Sequence, residues 1–343
     1  MTRNIRVYTL DVHLEVPFQI SRAVRTEKRV VIVELDEGGG RVSRGEGSPD
    51  PFFNETSESI EADVRGALDL IADDPSDLGT LKERLDQRLP HGGAAACALD
   101  TLAHDRAAQA AGEPLWKFLG LAGSDAPPTS FTIGIAEPAL MAERAAAAAA
   151  KGFHVLKVKL GHGGDDQEIL GGIRERFSGT IRVDPNAAWT PEEAPARIAA
   201  IVRYGIEFVE QPTPPGDVAG LRRVREHSEL PIVADEAAVR VADVDRLADA
   251  CDGINVKLQK SGGIAEARAM IQRAHELGLK VMLGCRAAET SVAIAAAAHL
   301  APAVEWADLD GNLLITDDPF RAVAVRDGRF VFSDRAGLGV VQA

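Results

Sequence analysis

Residues 155–160 read VLKVKL, a short apolar run of the kind that forms a buried β-strand. Similar runs recur roughly every 22 to 27 residues, which is the spacing of a strand followed by a helix. The eight runs are TSFTIGI (129–135), VLKVKL (155–160), TIRVD (180–184), IEFVE (206–210), PIVAD (231–235), GINVK (253–257), KVMLG (280–284) and EWADLD (305–310). Eight strand–helix units predict a closed (β/α)8-type barrel, an α/β fold. An open doubly wound sheet is the alternative, although no GxGxxG motif follows any run.

Residues 1–125 have a different pattern, which predicts an α+β capping domain in front of a barrel domain at 126–317. The expected elements are strands at 3–14 and 29–36 and helices at 57–72, 77–88 and 94–111. The tail, 318–343, contains one more strand pattern and is expected to return to the capping domain.

Two polar stretches of the first domain, 17–28 and 45–56, look irregular. The first is too long for a tight hairpin turn, and the second contains several glycines and prolines. We expect both to be loops, which either connect elements or cover a site.

The composition excludes several classes of protein. Hydrophobic residues make up 45% of the 343, which is enough for a folded core, and the net charge of −14 argues against a nucleic-acid partner. The three cysteines, Cys97, Cys251 and Cys285, have no metal-ligand spacing. No apolar run reaches the roughly 18 residues of a membrane helix, and the start lacks a signal-peptide core. We therefore expect a cytoplasmic protein with no membrane partner.

Acidic residues end three consecutive runs: Asp184, Glu210 and Asp235. Because parallel barrel strands end at one mouth, these carboxylates are expected to lie close together. Such a group needs a counter-charge, and carboxylate oxygens suit a hard divalent cation such as Mg²⁺. The alternative for each acid alone is that it caps the following helix or pairs with an arginine.

Lysines occur in the second and sixth runs. Lys157 and Lys159 share one strand face, and we expect their repulsion to lower an ammonium pKa so that a free amine can act as a base. Lys257 ends the sixth run. The second and sixth strands of an eight-stranded barrel face each other, so Lys159 and Lys257 are predicted to flank the metal from opposite sides.

These residues lie in motifs that resemble the enolase superfamily, and more narrowly its muconate-lactonising subgroup. The motifs are KVK (157–159), DPN (184–186), VEQP (209–212), ADE (234–236) and VKLQKSGG (256–263). The resemblance implies one Mg²⁺ per subunit on the three acids, an enediolate, and a homo-oligomer. It also implies that Lys159 and Lys257 are the acid/base pair, that Lys157 lies beside the substrate, and that further polar groups, Asn186 and Glu236, support the metal ligands.

A further motif, DLDG at 308–311, resembles the Asp-x-Asp of dipeptide epimerases. By this resemblance Asp308 and Asp310 hold the ammonium group of a small-molecule substrate, a dipeptide, although a helix cap is the simpler alternative. Thr132 in the first run resembles a substrate contact of these enzymes. The segment ISRAVRTE (20–27) resembles their capping loop, in which Arg22 would meet an acidic side chain and Arg25 is the alternative.

The resemblance implies epimerisation of a dipeptide, but the same metal and lysine site would also serve other reactions. The alternatives are o-succinylbenzoate synthase, N-acylamino acid racemase and muconate cycloisomerase, and a catalytically silent barrel is the alternative from another class. Two departures concern the substrate: Arg286 stands where a methionine is expected, and Phe52 and Phe53 stand where smaller or tyrosine-containing sequence is expected. The phenylalanines either favour an apolar side chain or pack on the barrel.

Overall fold

The computed structural model of the chain describes residues 4–21, 23–71, 77–91, 93–161 and 165–343. An antiparallel sheet and several helices come first, and an eight-stranded parallel sheet follows. Within the described residues, no helix combines the length and the hydropathy that crossing a membrane requires.

Three antiparallel strands begin the chain. They are β1 (Asn4–Ile20), β2 (Ala23–Gly38) and β3 (Arg41–Gly47). β1 and β2 form a long hairpin, in which Asn4 is opposite Asp36 at the open end and Ile20 is opposite Ala23 at the tip. The described residues of the hairpin are therefore paired as far as its tip.

The hairpin corrects the prediction of a loop at 17–28. The outer half of the hairpin is only partly buried. Its sequence therefore lacks the alternation of apolar and polar residues that marks a strand with one covered face. The tip contacts the barrel, where the N–H of Ile135 donates to the carbonyl of Gln19 at 2.8 Å. The stretch therefore reaches the barrel mouth as paired strands.

Helices follow the sheet and pack on it. They are α1 (Ser57–Gly66), α2 (Leu78–Arg88) and α3 (Gly93–Ala111). Thr56 and Ser59 form a capping box at the start of α1, and the side chain of Asp77 caps α2. α1 ends earlier than predicted, and a short 3₁₀ helix, Leu68–Ile71, follows it. β2 and α3 share a core of apolar side chains with α1 and α2.

β3 corrects the second loop prediction only at 45–47, because its last residues fall there, whereas 48–56 contain no strand and only one 3₁₀ turn, Pro51–Phe53. Its glycines resemble loop signals, but they allow α3 to approach the strand closely. A Cβ atom on Gly45 would lie 1.8 Å from the carbonyl oxygen of Ala98. A Cβ atom on Gly47 would lie 2.6 Å from a methyl group of Ile60.

The barrel strands all fall within the predicted runs. They are β4 (Phe131–Ile133), β5 (Val155–Lys159), β6 (Thr180–Asp184), β7 (Ile206–Glu210), β8 (Ile232–Ala234), β9 (Gly253–Lys257), β10 (Lys280–Gly284) and β11 (Trp306–Asp308). Each strand pairs in parallel with the next, and a bridge between Thr129 and Ala307 connects the first strand region to the last. The eight strands form a nearly closed barrel, which confirms the predicted fold class.

The remaining helices precede the barrel or alternate with its strands, which places every strand end at one mouth. They are α4 (Leu115–Phe118), α5 (Pro138–Ala150), α6 (Asp166–Arg174), α7 (Ala194–Ile201), α8 (Val218–His227), α9 (Val241–Leu247), α10 (Leu258–Ser261), α11 (Ile264–Glu276) and α12 (Ser291–Ala298). Side chains of Asp165, Asp217 and Thr290 cap three of these helices.

The tail returns to the first part of the chain, as predicted. It contains β12 (Phe320–Arg321), β13 (Ala324–Arg326), β14 (Arg329–Val331) and β15 (Val341–Gln342). The N–H of Leu338 donates to Asp105 of α3 at 2.8 Å, and Arg44 of β3 lies over the ring of Phe320. The exact boundaries of the capping and barrel domains stay a prediction.

Replacing Gly45 with alanine is expected to destabilise the protein, because the added Cβ atom would overlap a backbone carbonyl of α3. We expect the free energy of unfolding, measured by urea denaturation, to fall by about 1–3 kcal/mol or more. Gly79→Ala is the matched control: nothing lies within 4 Å of its Cβ position in α2, so stability should stay unchanged or rise by up to about 1 kcal/mol. Equal stability of the two variants would contradict this account of β3.

Candidate active site

Three carboxylates lie at the ends of neighbouring barrel strands. Asp184 and Glu210 end β6 and β7, and Asp235 follows β8 directly. All three side chains are buried, and one oxygen atom from each lies within 4.8 Å of the others. The sequence prediction that these acids meet is therefore confirmed, since parallel strands bring their carboxyl ends to the same mouth.

Two lysines of β5 bring positive charge to this cluster. Nζ of Lys159 lies 2.6 Å from Oδ2 of Asp184. Nζ of Lys157 lies 2.7 Å from Oε2 of Glu210 and 2.9 Å from Oδ2 of Asp308. Both side chains are buried and share one face of the strand, because side chains two residues apart on a strand point the same way.

Lys257 approaches the cluster from the facing wall. In the order of the eight strands, β9 is four strands away from β5, so the two strands lie opposite each other. Nζ of Lys257 lies 2.6 Å from Oδ2 of Asp235. Lys159 and Lys257 therefore contact different carboxylates from opposite sides of the barrel.

The buried charges of this cluster shift each other's protonation. Burial by itself would lower the pKa of Lys157, but Asp308, Glu210 and Asp184 raise it well above its ordinary value. The predicted lowering is therefore wrong for this ammonium group, since carboxylates surround it. Burial and the neighbouring Asp184 raise the pKa of Glu210. Carboxylates that raise one another's pKa in this way favour additional positive charge between them, and their oxygen atoms fit a hard divalent cation such as Mg²⁺.

Asn186 and Glu236 lie behind the carboxylates, next to Asp184. The backbone N–H of Asn186 donates to Oδ1 of Asp184 at 2.7 Å, and its side-chain amide donates to Oδ2 at 3.2 Å. The same amide lies 3.5 Å from Oε1 of Glu236. Asn186 has a φ of 48°, a left-handed conformation that asparagine tolerates better than most residues. The turn after β6 thereby orients the Asp184 carboxylate.

A second acidic group lies at the end of β11. Oδ1 of Asp308 accepts a hydrogen bond from Ser130 at 2.5 Å, and its Oδ2 faces Lys157. Asp310 accepts from the backbone N–H of Thr132 at 2.6 Å. Burial and the neighbouring Asp308 raise the pKa of Asp310 to about 7. This wall of the pocket is therefore rich in carboxyl groups.

Residues of the first domain close the pocket from the cap side. The lining there consists of Phe18, Ile20, Ala23, Arg25, Asp50 and Phe53. Arg25 pairs with Asp50 at 3.2 Å, and Arg286 lines the same pocket after β10. Phe53 lines the pocket, whereas Phe52 is 38% exposed. The predicted contact Arg22 lies outside the described residues.

Three residues that contact the acidic groups of the pocket are not among those predicted from the sequence. Nζ of Lys260 lies 2.6 Å from the second carboxylate oxygen of Asp235. The amide of Asn255 donates to Glu210 at 2.8 Å, and Ser130 donates to Asp308 as described above. Asn255 could have been found, because it lies two residues before Lys257 on the same strand face. No sequence signal marks the serine, whose partner is 178 residues away.

Two family models match the chain. The model described as mandelate racemase / muconate lactonizing enzyme, N-terminal domain, matches residues 3–120. The model described as enolase C-terminal domain-like matches residues 140–342. Together they span the capping elements, the barrel from α5 onward and most of the tail.

Similar proteins cover nearly the whole chain. An L-Ala-D/L-Glu epimerase of Bacteroides thetaiotaomicron is 37% identical and covers 98% of this chain and 87% of that protein. The dipeptide epimerase of Methylococcus capsulatus, solved with Mg and L-Arg-D-Lys, has a TM-score of 0.90 and 36% identity, covering 98% of this chain and 99% of that one. The dipeptide epimerase of Enterococcus faecalis V583, solved with Mg and L-Leu-L-Tyr, has a TM-score of 0.91 and 32% identity, covering 98% of both chains. The chain therefore belongs to the mandelate racemase / muconate lactonizing enzyme family of the enolase superfamily.

Proposed function

We propose that this protein is a Mg²⁺-dependent dipeptide epimerase, an isomerase that inverts the α-carbon next to the terminal carboxylate of a dipeptide. The observation that carries the proposal is the pair Lys159 and Lys257, on facing strands at either side of three clustered carboxylates. Removal of a proton from one face of a carbon and return of a proton to the other face inverts that carbon.

In this proposal Asp184, Glu210 and Asp235 hold one Mg²⁺ per subunit, and Asn186 and Glu236 support them. When bound, the ion supplies positive charge that stabilises the substrate carboxylate as the α-proton leaves. The buried, closely spaced oxygen atoms of the three acids support this assignment.

The two facing lysines carry the proton transfers. One lysine, as a free amine, takes the α-proton, and the other, as an ammonium, returns a proton to the opposite face. The roles exchange when the other epimer is the substrate. Lys157 stays a cation, since its carboxylate neighbours raise its pKa, and adds fixed positive charge beside the substrate.

The wall formed by β11 suits the ammonium group at the other end of the dipeptide. Both oxygens of Asp308 already have partners, Ser130 and Lys157. The Asp310 carboxyl group is hydrogen-bonded to Thr132, through the backbone N–H and the side chain, and pairs with no lysine or arginine among the described residues. We therefore assign the closest contact with the ammonium group to Asp310, and a supporting negative charge to Asp308.

The relatives favour epimerisation of dipeptides over the alternatives that share this site. The names of the similar proteins describe epimerases, and the dipeptides in the two solved complexes differ in their side chains. The common element is therefore the reaction, whereas the side chain varies from protein to protein. A homo-oligomeric state and a cytoplasmic location stay predictions for this chain.

Lys159→Ala and Lys257→Ala are each expected to slow epimerisation by about 10²–10⁴-fold, because each removes one proton-transfer group. In D₂O, each variant should still exchange the α-proton of one epimer, and the two variants should act on opposite epimers. NMR of acidic, apolar and cationic dipeptides measures both effects. Lys151→Ala, at an exposed position after α5, is the control and should match the unmodified enzyme. Exchange of the same epimer by both lysine variants would refute the two-sided arrangement.

Mg²⁺ is expected to raise the melting temperature of protein that has been treated with a chelator, since an ion that binds only the folded state stabilises it. At about 100 times the dissociation constant, the gain is about 2.7 kcal/mol. Asp235→Asn should abolish the rise, while Asp249→Asn, on a carboxylate that is 69% exposed, should keep it. Calorimetry with and without Mg²⁺ gives the answer, and an unchanged melting temperature in the unmodified protein would count against the metal site.

The KM for a dipeptide with a free amino group is expected to fall as the pH rises through about 7, because Asp310 must lose its proton to bind an ammonium group. Above about pH 8 the KM should rise again, since the amino group of the dipeptide itself becomes neutral. In Asp310→Asn the acidic limb should disappear, and an N-acetylated dipeptide should not show it. Initial rates from about pH 6 to 9 test this, and a flat acidic limb in the unmodified enzyme would exclude the assigned role.

A further inference from the structure

The side of the pocket next to the capping domain, which we call the cap-facing wall, contains an arginine that the proposed mechanism does not use. The wall is formed by Phe18, Arg25, Asp50, Phe53 and Arg286. Arg286 follows β10, is 5% exposed and lines the pocket. Its Nη1 donates to the carbonyl oxygen of Ser48 and, at 2.7 Å, to Oε2 of Glu55. Its guanidinium carbon lies 5.3 Å from the centre of the Phe53 ring. These contacts hold the guanidinium group in one position.

One end of this guanidinium group has no partner. Nη2 of Arg286 is buried and has no hydrogen-bond acceptor among the described residues. Nε is 3.9 Å from the nearest oxygen of Asp50, which is too far for a hydrogen bond. Buried donors almost always have an acceptor, so an unsatisfied pair of N–H groups at a pocket wall suggests that a ligand supplies one.

The carboxylates near Arg286 are already shared with other donors. Glu55 accepts a hydrogen bond from the N–H of Ala94, at the start of α3, at 2.8 Å. Asp50 pairs with Arg25 at 3.2 Å. The two guanidinium groups therefore pair with two carboxylates, Arg25 with Asp50 and Arg286 with Glu55, and what stays available for a ligand is the Nη2 group of Arg286.

The proposed reaction directs one part of the substrate to this wall. The terminal carboxylate lies toward the three acids, the amino end lies toward Asp310, and the α-proton lies on the line between Lys159 and Lys257. The fourth substituent of the α-carbon is the side chain of the residue that is epimerised. The cap-facing wall is the remaining side of the pocket, so it contacts this side chain.

We propose that Arg286 determines specificity, and that the epimerised residue has an acidic side chain whose carboxylate accepts hydrogen bonds from Nη2. This inference rests on the proposed function and names its substrate class. The rings of Phe18 and Phe53, which line the same wall, cover the aliphatic part of that side chain.

The test compares two dipeptides of equal shape, L-Ala-L-Glu and L-Ala-L-Gln, by α-proton exchange in D₂O with Mg²⁺. The unmodified enzyme should prefer the glutamate dipeptide by about 10- to 100-fold in kcat/KM, mainly through KM, since a charge-assisted hydrogen bond is gained. In Arg286→Met the ratio of the two kcat/KM values should fall to about 1, and Arg286→Lys should keep part of the preference. Arg223→Met, on a side chain of α8 that is 60% exposed, is the matched control and should keep the full ratio.

The ratio separates a specificity role from a structural one. A variant that folds poorly loses activity toward both dipeptides and keeps the ratio, so an unchanged ratio in Arg286→Met would overturn the proposal. The proposal would also be overturned if Arg25→Met lost the preference while Arg286→Met kept it. It would be overturned as well if the unmodified enzyme favoured the glutamine dipeptide. Exchange without any acidic preference would overturn this inference and leave the proposed function intact. Absence of exchange with every dipeptide would overturn both.

Discussion

The repulsion among three buried carboxylates is the constraint on which this structure depends. Asp184, Glu210 and Asp235 place oxygen atoms within 4.8 Å of one another with almost no access to water. Such a group is stable only if positive charge and hydrogen-bond donors surround it. The lysines of β5, β9 and α10 and the amides of Asn186 and Asn255 meet this need. Among these stabilising groups, Lys159 and Lys257 are those to which we assign the proton transfers.

The capping elements are attached to the barrel close to this cluster. The side chain of Gln259, two residues after Lys257, accepts from the N–H of Ser48 and donates to the carbonyl of Glu46. Asp100 of α3 accepts from the first N–H of α11. Since α3 itself packs closely on β3, the cap and the strand that carries Lys257 form one connected unit. The pocket is therefore bounded by two parts of the chain whose relative position is held by specific hydrogen bonds.

The strand ends and the walls of the pocket have different roles. The strand ends carry charges that any substrate with an α-proton beside a carboxylate could use. In the function that we propose, the cap-facing wall and the wall of β11 contact the other substituents and select the substrate. Relatives that share the barrel accordingly carry names or bound dipeptides with acidic, basic or apolar side chains. On the cap-facing wall, we assign the choice of side-chain charge to Arg286.

The sequence by itself determined the eight strands, the acids and lysines at their ends, and the order of cap and barrel, because these features depend on local period and on the shared edge of parallel strands. Tertiary structure alone decided what distant residues do to each other. Lys157 meets a carboxylate 151 residues away, which raises its pKa instead of lowering it. Gly45 belongs to a strand through its pairing with Val33 of β2, with α3 packed closely against it, and the polar hairpin at 17–28 is paired by partners across the turn. Contacts between residues that are far apart in the chain produce no periodic pattern in the sequence, because their energy depends on which residues become neighbours in the folded protein.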